Sequence, residues 1–137
     1  MVPGVADKEN IQKMNDLVGQ EIRSVDKKTL IFFEGITFDN FYVGFDDVPG
    51  GSEYKNKSVL SFHHYFPLPN IFPLTVTMFE RCRDAERLEV GMMLTEFDVM
   101  WETVSGVDNG YQVINGGLLK QIATADEYRC SWMVYIS

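Results

Sequence analysis

Residues 58–97 read SVLSFHHYFPLPNIFPLTVTMFERCRDAERLEVGMMLTEF, and this stretch decides the fold. Ser58–Phe62 is a short apolar run of strand length. Leu74–Leu88 carries Met78, Phe79, Cys82, Ala85 and Leu88 roughly on one helical face. Gly91–Phe97 is a second short apolar run, so the unit is strand, helix, strand. Two neighbouring strands joined through a helix run parallel.

The same alternation extends outward. Upstream, Asp7–Val25 reads as an amphipathic helix with Ile11, Met14, Leu17, Val18, Ile22 and Val25 at threes and fours, and Asp7 is its candidate cap. Thr29–Phe33 (TLIFF) follows a charged turn and has the unbroken apolar look of a strand buried on both faces. Gly44–Ser52 (GFDDVPGGS) is a loop punctuated by Gly and Pro. Downstream, Asn109–Gly117 reads as a turn-rich loop with Gly110, Gly116 and Gly117. Leu118–Tyr128 reads as a helix, and Cys130–Ile136 as a fourth strand. Four strands alternating with helices define an α/β chain with a parallel sheet.

The chain has 137 residues, enough for one domain but only about half of the ~250 that a complete (β/α)8 barrel takes. Lys plus Arg number 12 and Asp plus Glu 20, a net charge of −8. This acidity argues against a nucleic-acid partner and against attraction to anionic lipid, both of which ask for a basic face. The longest stretch without Lys, Arg, Asp or Glu is Ser58–Phe79, but Pro67, Pro69, Pro73 and two histidines make it a poor membrane span, so no stable membrane insertion is expected. Met1–Asn10 lacks a positive flank followed by an apolar run, so no signal peptide is expected. Cys82 and Cys130 are too few for a disulfide scaffold and read as small buried apolar residues. Asn56-Lys57-Ser58 is a glycosylation sequon, a triplet that also arises by chance, and the compartment stays open.

Chemistry-bearing residues gather at the C-terminal ends of the strands, the ligand-binding edge of parallel α/β folds. They are Glu34, His63, His64, Tyr65, Glu96, Trp132 and Tyr135. No phosphate-cradling glycine loop, nucleophile elbow or His-Glu-x-x-His helix is present. His63 and His64 are adjacent, so on a strand they point to opposite faces and cannot share a metal without a bulge; neither metal nor cofactor is expected. A carboxylate closing an apolar strand, as Glu96 does in Leu94-Thr95-Glu96-Phe97, must find water, a partner or a substrate. Glu34 closes another. Two such carboxylates at a barrel mouth are the equipment of glycoside hydrolysis, and residue type alone nominates Glu34 and Glu96 as the pair.

Leu30–Glu34, Gly44-Phe45, Val48–Gly51, Ser58–Tyr65 and Met93–Phe97 fall in an order and spacing that resembles the C-terminal half of an endoglycoceramidase of glycoside hydrolase family 5. The likeness is densest from Leu30 to Trp101. It implies a partial (β/α)8 barrel of about four strands, with residues 1–137 as one incomplete barrel domain. It further implies retaining hydrolysis of the glycan–ceramide bond of glycosphingolipids. By this resemblance Glu96 takes the nucleophile's place, His63 and Tyr65 line the catalytic subsite, and Trp132 or Tyr135 supplies an aromatic platform under the sugar. Tyr65 would hydrogen-bond Glu96. The family's acid/base glutamate lies in an Asn-Glu-Pro motif that this sequence does not contain. Glu34 follows a later strand in the family's order, so it becomes a substrate-side or loop-anchoring carboxylate rather than the acid. Asp98 stands where many members of the wider family have Gly, and the family's usual C-terminal β-domain is missing. The resemblance therefore predicts a glycosidase piece inactive alone, whose open strand edges favour self-association. Two further readings stay open: an inactive carbohydrate- or glycolipid-binding relic, and an unrelated small doubly wound α/β domain.

Overall fold

The computed structural model describes residues 4–36, 43–64, 74–97 and 110–133, with backbone alone over 110–118. A π-helical turn, Asp7–Ile11, runs into helix α1 (Gln12–Val25). Strand β1 (Ile31–Phe33) follows, then a 3-10 turn at Ser52–Lys57 that leads into β2 (Ser58–His64). Helix α2 is Leu74–Leu88 and β3 is Gly91–Phe97. Helix α3 (Gly110–Glu127) and β4 (Ser131–Trp132) complete the described elements.

All pairings are parallel and the sheet order is β1-β2-β3-β4, the order of the sequence. A doubly wound sheet reverses direction at a switch point. The described strands show no such reversal, and the architecture is that of a partial (β/α)8 barrel.

One face of the sheet carries the core. Phe62, Leu94 and Phe97 pack with Leu74 and Met78 of α2 and with Ala125 and Cys130 at the end of α3. Phe33 and Leu60 pack with Leu88 and with Val43, Phe45 and Val48 from the segment between β1 and β2. That segment is tied to α2 by charge as well as by contact. Asp84 accepts the Val43 N–H at 2.8 Å, and Arg87 donates to the carbonyls of Val43 and Phe45. Arg81 and Arg87 lie 3.3 and 2.9 Å from the buried Asp84 carboxylate. A buried carboxylate needs such partners to stay ionised.

Five sequence expectations are corrected here. Where a turn-rich loop is expected over Asn109–Gly117, Gly110–Gly117 is the first half of α3, and Asn109 lies outside the described residues. Ile114, Leu118, Ile122 and Ala125 continue one helical period through the glycines, and that period outweighs a propensity cost of about 1 kcal/mol per glycine. Asp7 is not a cap: the N-cap of the first turn is Ala6, with no side-chain capping bond. Strand β1 is not buried on both faces, because Phe33 is buried while Phe32 is half exposed. On α2 the buried stripe runs through Leu74, Thr77, Met78, Arg81, Asp84, Ala85 and Leu88, and Phe79 is exposed.

The fifth correction concerns α1. Its apolar positions Met14, Leu17, Val18, Ile22 and Val25 are exposed, and its buried residues are Gln12, Gly19 and Arg23. The polar side packs because it meets main-chain groups that need partners. Arg23 donates to the carbonyls of Thr29 at 2.6 Å and Lys57 at 2.8 Å, and stacks over the Tyr54 ring. Gln12 accepts the Asp46 N–H at 3.0 Å and donates to the Asp47 carbonyl. Gly19 allows the closest approach, since a Cβ there would collide with the backbone of Pro49 and Gly50. Gly50 itself holds a φ of 91°, a conformation that side chains other than glycine's rarely adopt.

Candidate functional site

Strand alternation sorts the polar residues. Leu60, Phe62 and His64 of β2 point to the helix-covered face, so Ser61 and His63 point to the other. His64 is buried, with its Nδ1 3.2 Å from the Thr77 hydroxyl. Burial pulls its pKa down to about 4, which makes it a neutral core side chain. His63 is half-buried and faces two carboxylates. Its Nε2 lies 3.5 Å from Glu34 and its Nδ1 3.8 Å from Glu96.

Glu96 reaches that face through a β-bulge. Phe62 pairs with Leu94, but the next residue, His63, pairs with Glu96, so Thr95 is the extra residue. The Thr95 hydroxyl donates to the Phe62 carbonyl at 3.1 Å and pins the irregularity. The shift lets Leu94 and Phe97 both enter the helix-facing core although they are three apart, and it turns Glu96 toward His63. Glu34 follows the buried Phe33 and by alternation shares the face of Phe32. Ser61, also on this side, donates to the Phe33 carbonyl at 3.2 Å and steadies the end of β1.

Asp7 completes the support. It is fully buried, and its carboxylate accepts the Ile36 N–H at 2.8 Å, two residues after Glu34. A Cβ on Gly35 would sit 3.0 Å from that carboxylate and from Val43. Sequence reasoning missed this role; the signal that existed was a lone Asp opening a helix, which normally reads as a cap. Beside these residues lies an open cleft of about 470 Å³, lined by Met14, Phe32, Glu34, Ile36, Ser61 and His63 among others.

The structure thus brings Glu34, His63 and Glu96 together at the C-terminal ends of β1, β2 and β3. It does not bring Trp132 to them. That indole lies edge-on to Phe97, with ring centroids 6.4 Å apart, and its Nε1 donates to Asp126 of α3 at 3.0 Å. Tyr65 and Tyr135 fall outside the described residues. Among the described residues no group of three His, Cys, Asp or Glu is arranged to hold a metal ion, and no helix is long and apolar enough to cross a membrane. Burial raises the Cys130 thiol to about 11, which leaves it a poor nucleophile.

Parallel strands in sequence order with carboxylates at their C-terminal rim define the class, a partial (β/α)8 barrel with polar residues at its ligand-binding edge. No protein-family model matches the chain. Over 136 residues, 99% of its length, it is 38% identical to an endoglycoceramidase of Cyanea nozakii. It is 40% identical over 134 residues to an endoglycoceramidase of Hydra vulgaris. The chain spans about a quarter of each relative, 25% and 26%. Among solved structures it resembles endo-glycoceramidase II from Rhodococcus sp., a lactosyl-enzyme intermediate, with a TM-score of 0.76 at 15% identity, covering 98% of this chain and 31% of that one. Nearly the whole chain is thus similar to a part of these endoglycoceramidases.

Proposed function

We propose that this chain supplies the nucleophile side of a retaining glycoside hydrolase that acts on glycosphingolipids, with Glu96 as the nucleophile. In this reading residues 1–137 form one incomplete barrel domain. The observation that carries it is the Thr95 bulge, which aims a half-exposed carboxylate at the rim of the strands beside His63 and Glu34. A Glu96 oxygen attacks the anomeric carbon and forms a glycosyl ester, while the bond to the leaving oxygen breaks. Water then cleaves the ester. The leaving oxygen needs a proton, and with no Asn-Glu-Pro motif in the sequence the acid is supplied from outside these 137 residues.

His63, Tyr65, Tyr135, Trp132 and Glu34 make up the substrate side of the rim. For Trp132 this requires the indole to release Asp126 and turn to the other face. Among the described strands β1 and β4 are the outer ones, whose edges offer parallel-strand hydrogen bonds, and self-association of the chain through them is part of the proposal.

The test uses a 2-deoxy-2-fluoroglycoside with a dinitrophenol leaving group, which departs without protonation and so bypasses the missing acid. The expected result is a sugar adduct on the peptide that contains Glu96 in the folded chain, and none in Glu96→Gln. A folded wild-type chain that forms no adduct overturns catalysis by Glu96. The absent acid motif favours a second reading, a glycolipid-binding piece without chemistry, and retention on immobilised glycosphingolipid with no adduct would select it.

A further inference from the structure

The three rim residues form a line, carboxylate–imidazole–carboxylate, and the contact of the outer carboxylate with the imidazole gives it a role besides the substrate side of the rim. Glu34 sits 3.5 Å from Nε2 of His63, on the side away from Glu96, which is 3.8 Å from Nδ1. Among the described residues these are the two charged groups within 4.0 Å of the ring nitrogens. One approaches from the end of β1 and the other from β3. An ionised carboxylate only accepts hydrogen bonds. An imidazole between two of them satisfies both when each ring nitrogen carries a hydrogen, and a neutral ring turns a lone pair toward one.

We propose that Glu34 is a positioning residue: it holds the Nε2–H of His63, and so presents an Nδ1–H to the Glu96 carboxylate. Asp7 supports it from behind by fixing the Gly35-Ile36 turn. The consequence for Glu96 is orientational. A donor held beside a carboxylate restricts its rotamer, which a nucleophile needs. The distances are those of ion pairs rather than short hydrogen bonds. Such contacts at a water-exposed rim tighten when substrate excludes water. The ring is already constrained on one side, because His64, its neighbour in sequence, is anchored in the core at Thr77.

This proposal rests on the reading of Glu96 as the nucleophile, so the experiment separates the two. Long-range nitrogen–proton correlation spectra of the full chain at pH 8, where an ordinary imidazole carries a single hydrogen, report which ring nitrogens carry hydrogen. His64 serves as an internal reference, being buried and neutral. The wild-type chain is expected to show hydrogen on both nitrogens of His63. Glu34→Gln, which keeps the shape and removes the charge, is expected to lose the Nε2–H signature and to slow labelling at Glu96 about tenfold, less than the ~10²–10⁴-fold of a group that itself transfers the proton. Asp7→Asn should give the same change in weaker form.

A His63 signature unchanged in folded Glu34→Gln overturns the proposal, since a purely steric Glu34 predicts that outcome. If the signature changes but the wild type takes no adduct, the positioning role stands and the nucleophile reading falls. If both proteins label at one rate with an unchanged ring, the nucleophile stands and the positioning role falls. Should Glu34→Gln fail to fold, Glu96→Gln reads the same line from its other end, and an Nδ1 signature identical to wild type would overturn the proposal.

Discussion

His63 and His64 are neighbours in sequence and sit on opposite faces of one sheet, and the two faces have different jobs. On the helix-covered face Leu60, Phe62, Leu94 and Phe97 are all at 0% exposure, and His64 lies among them as a neutral side chain bonded to Thr77. On the other face Phe32 is 48% exposed, while His63, Glu34 and Glu96 keep water contact and each other. The same residue type becomes core filler or site component according to which way the pleat turns it. Stability and chemistry are separated by one residue of register.

The largest expected effect tests that separation directly. Phe62→Ala empties a fully buried position and should destabilise the chain by about 3–5 kcal/mol in urea unfolding. Phe32→Ala on the half-exposed face should cost under about 1 kcal/mol. Equal losses would mean that the second face is covered in solution.

Next comes acid. The His64 pKa is about 4 in the fold against an ordinary 6.5, so between these values the unfolded chain binds more protons. The His64 contribution is therefore constant above about pH 6.5, falls as pH drops toward 4, and levels off below it, with a loss of up to about 3 kcal/mol. His64→Asn should flatten that part of the curve in urea midpoints measured across the range. A slope that survives the substitution would place the titration elsewhere. Asp26 belongs to a separate, more acidic window: hydrogen bonds from Thr29 and Lys28 lower its pKa to about 2, so its contribution is lost only as pH falls through that value.

The smallest effect concerns α1, whose exposed stripe imitates a core face. Leu17→Lys should change stability by no more than about 0.5 kcal/mol, since the side chain is 67% exposed. A loss of several kcal/mol, or a change from associated to monomeric chain in light scattering, would show that the stripe is covered in solution.

Much of this was legible in the residues. Helix α2 ends where its apolar period ends, and β3 spans the run from Gly91 to Phe97, because local periodicity and the Glu89-Val90 break mark both boundaries. The opposite facing of His63 and His64 follows from the pleat alone. The α1 stripe misled because an amphipathic pattern states which residues share a face, not what meets that face. The polar face won because the chain between Asp46 and Lys57 presents main-chain groups that Gln12 and Arg23 satisfy. The Asn109–Gly117 segment misled because three glycines outweighed the apolar spacing in the reading though not in the fold. Trp132 lies in β4, described at Ser131–Trp132 within the strand expected over Cys130–Ile136, but its one hydrogen-bonding atom found Asp126 on α3, a partner only six residues away that nothing in the strand pattern marks.

The sequence by itself determined the order of strands and helices, the parallel sheet that this order requires, and the presence of carboxylates at strand ends. These follow from period, length and residue type, which are local. Tertiary structure alone decided that Thr95 bulges so that Glu96 meets His63, and that Asp7 reaches across to Ile36. It also decided that α1 packs by its polar side. Each of those depends on which main-chain hydrogen bonds the neighbouring segments leave unmade, and that is settled only when the segments meet.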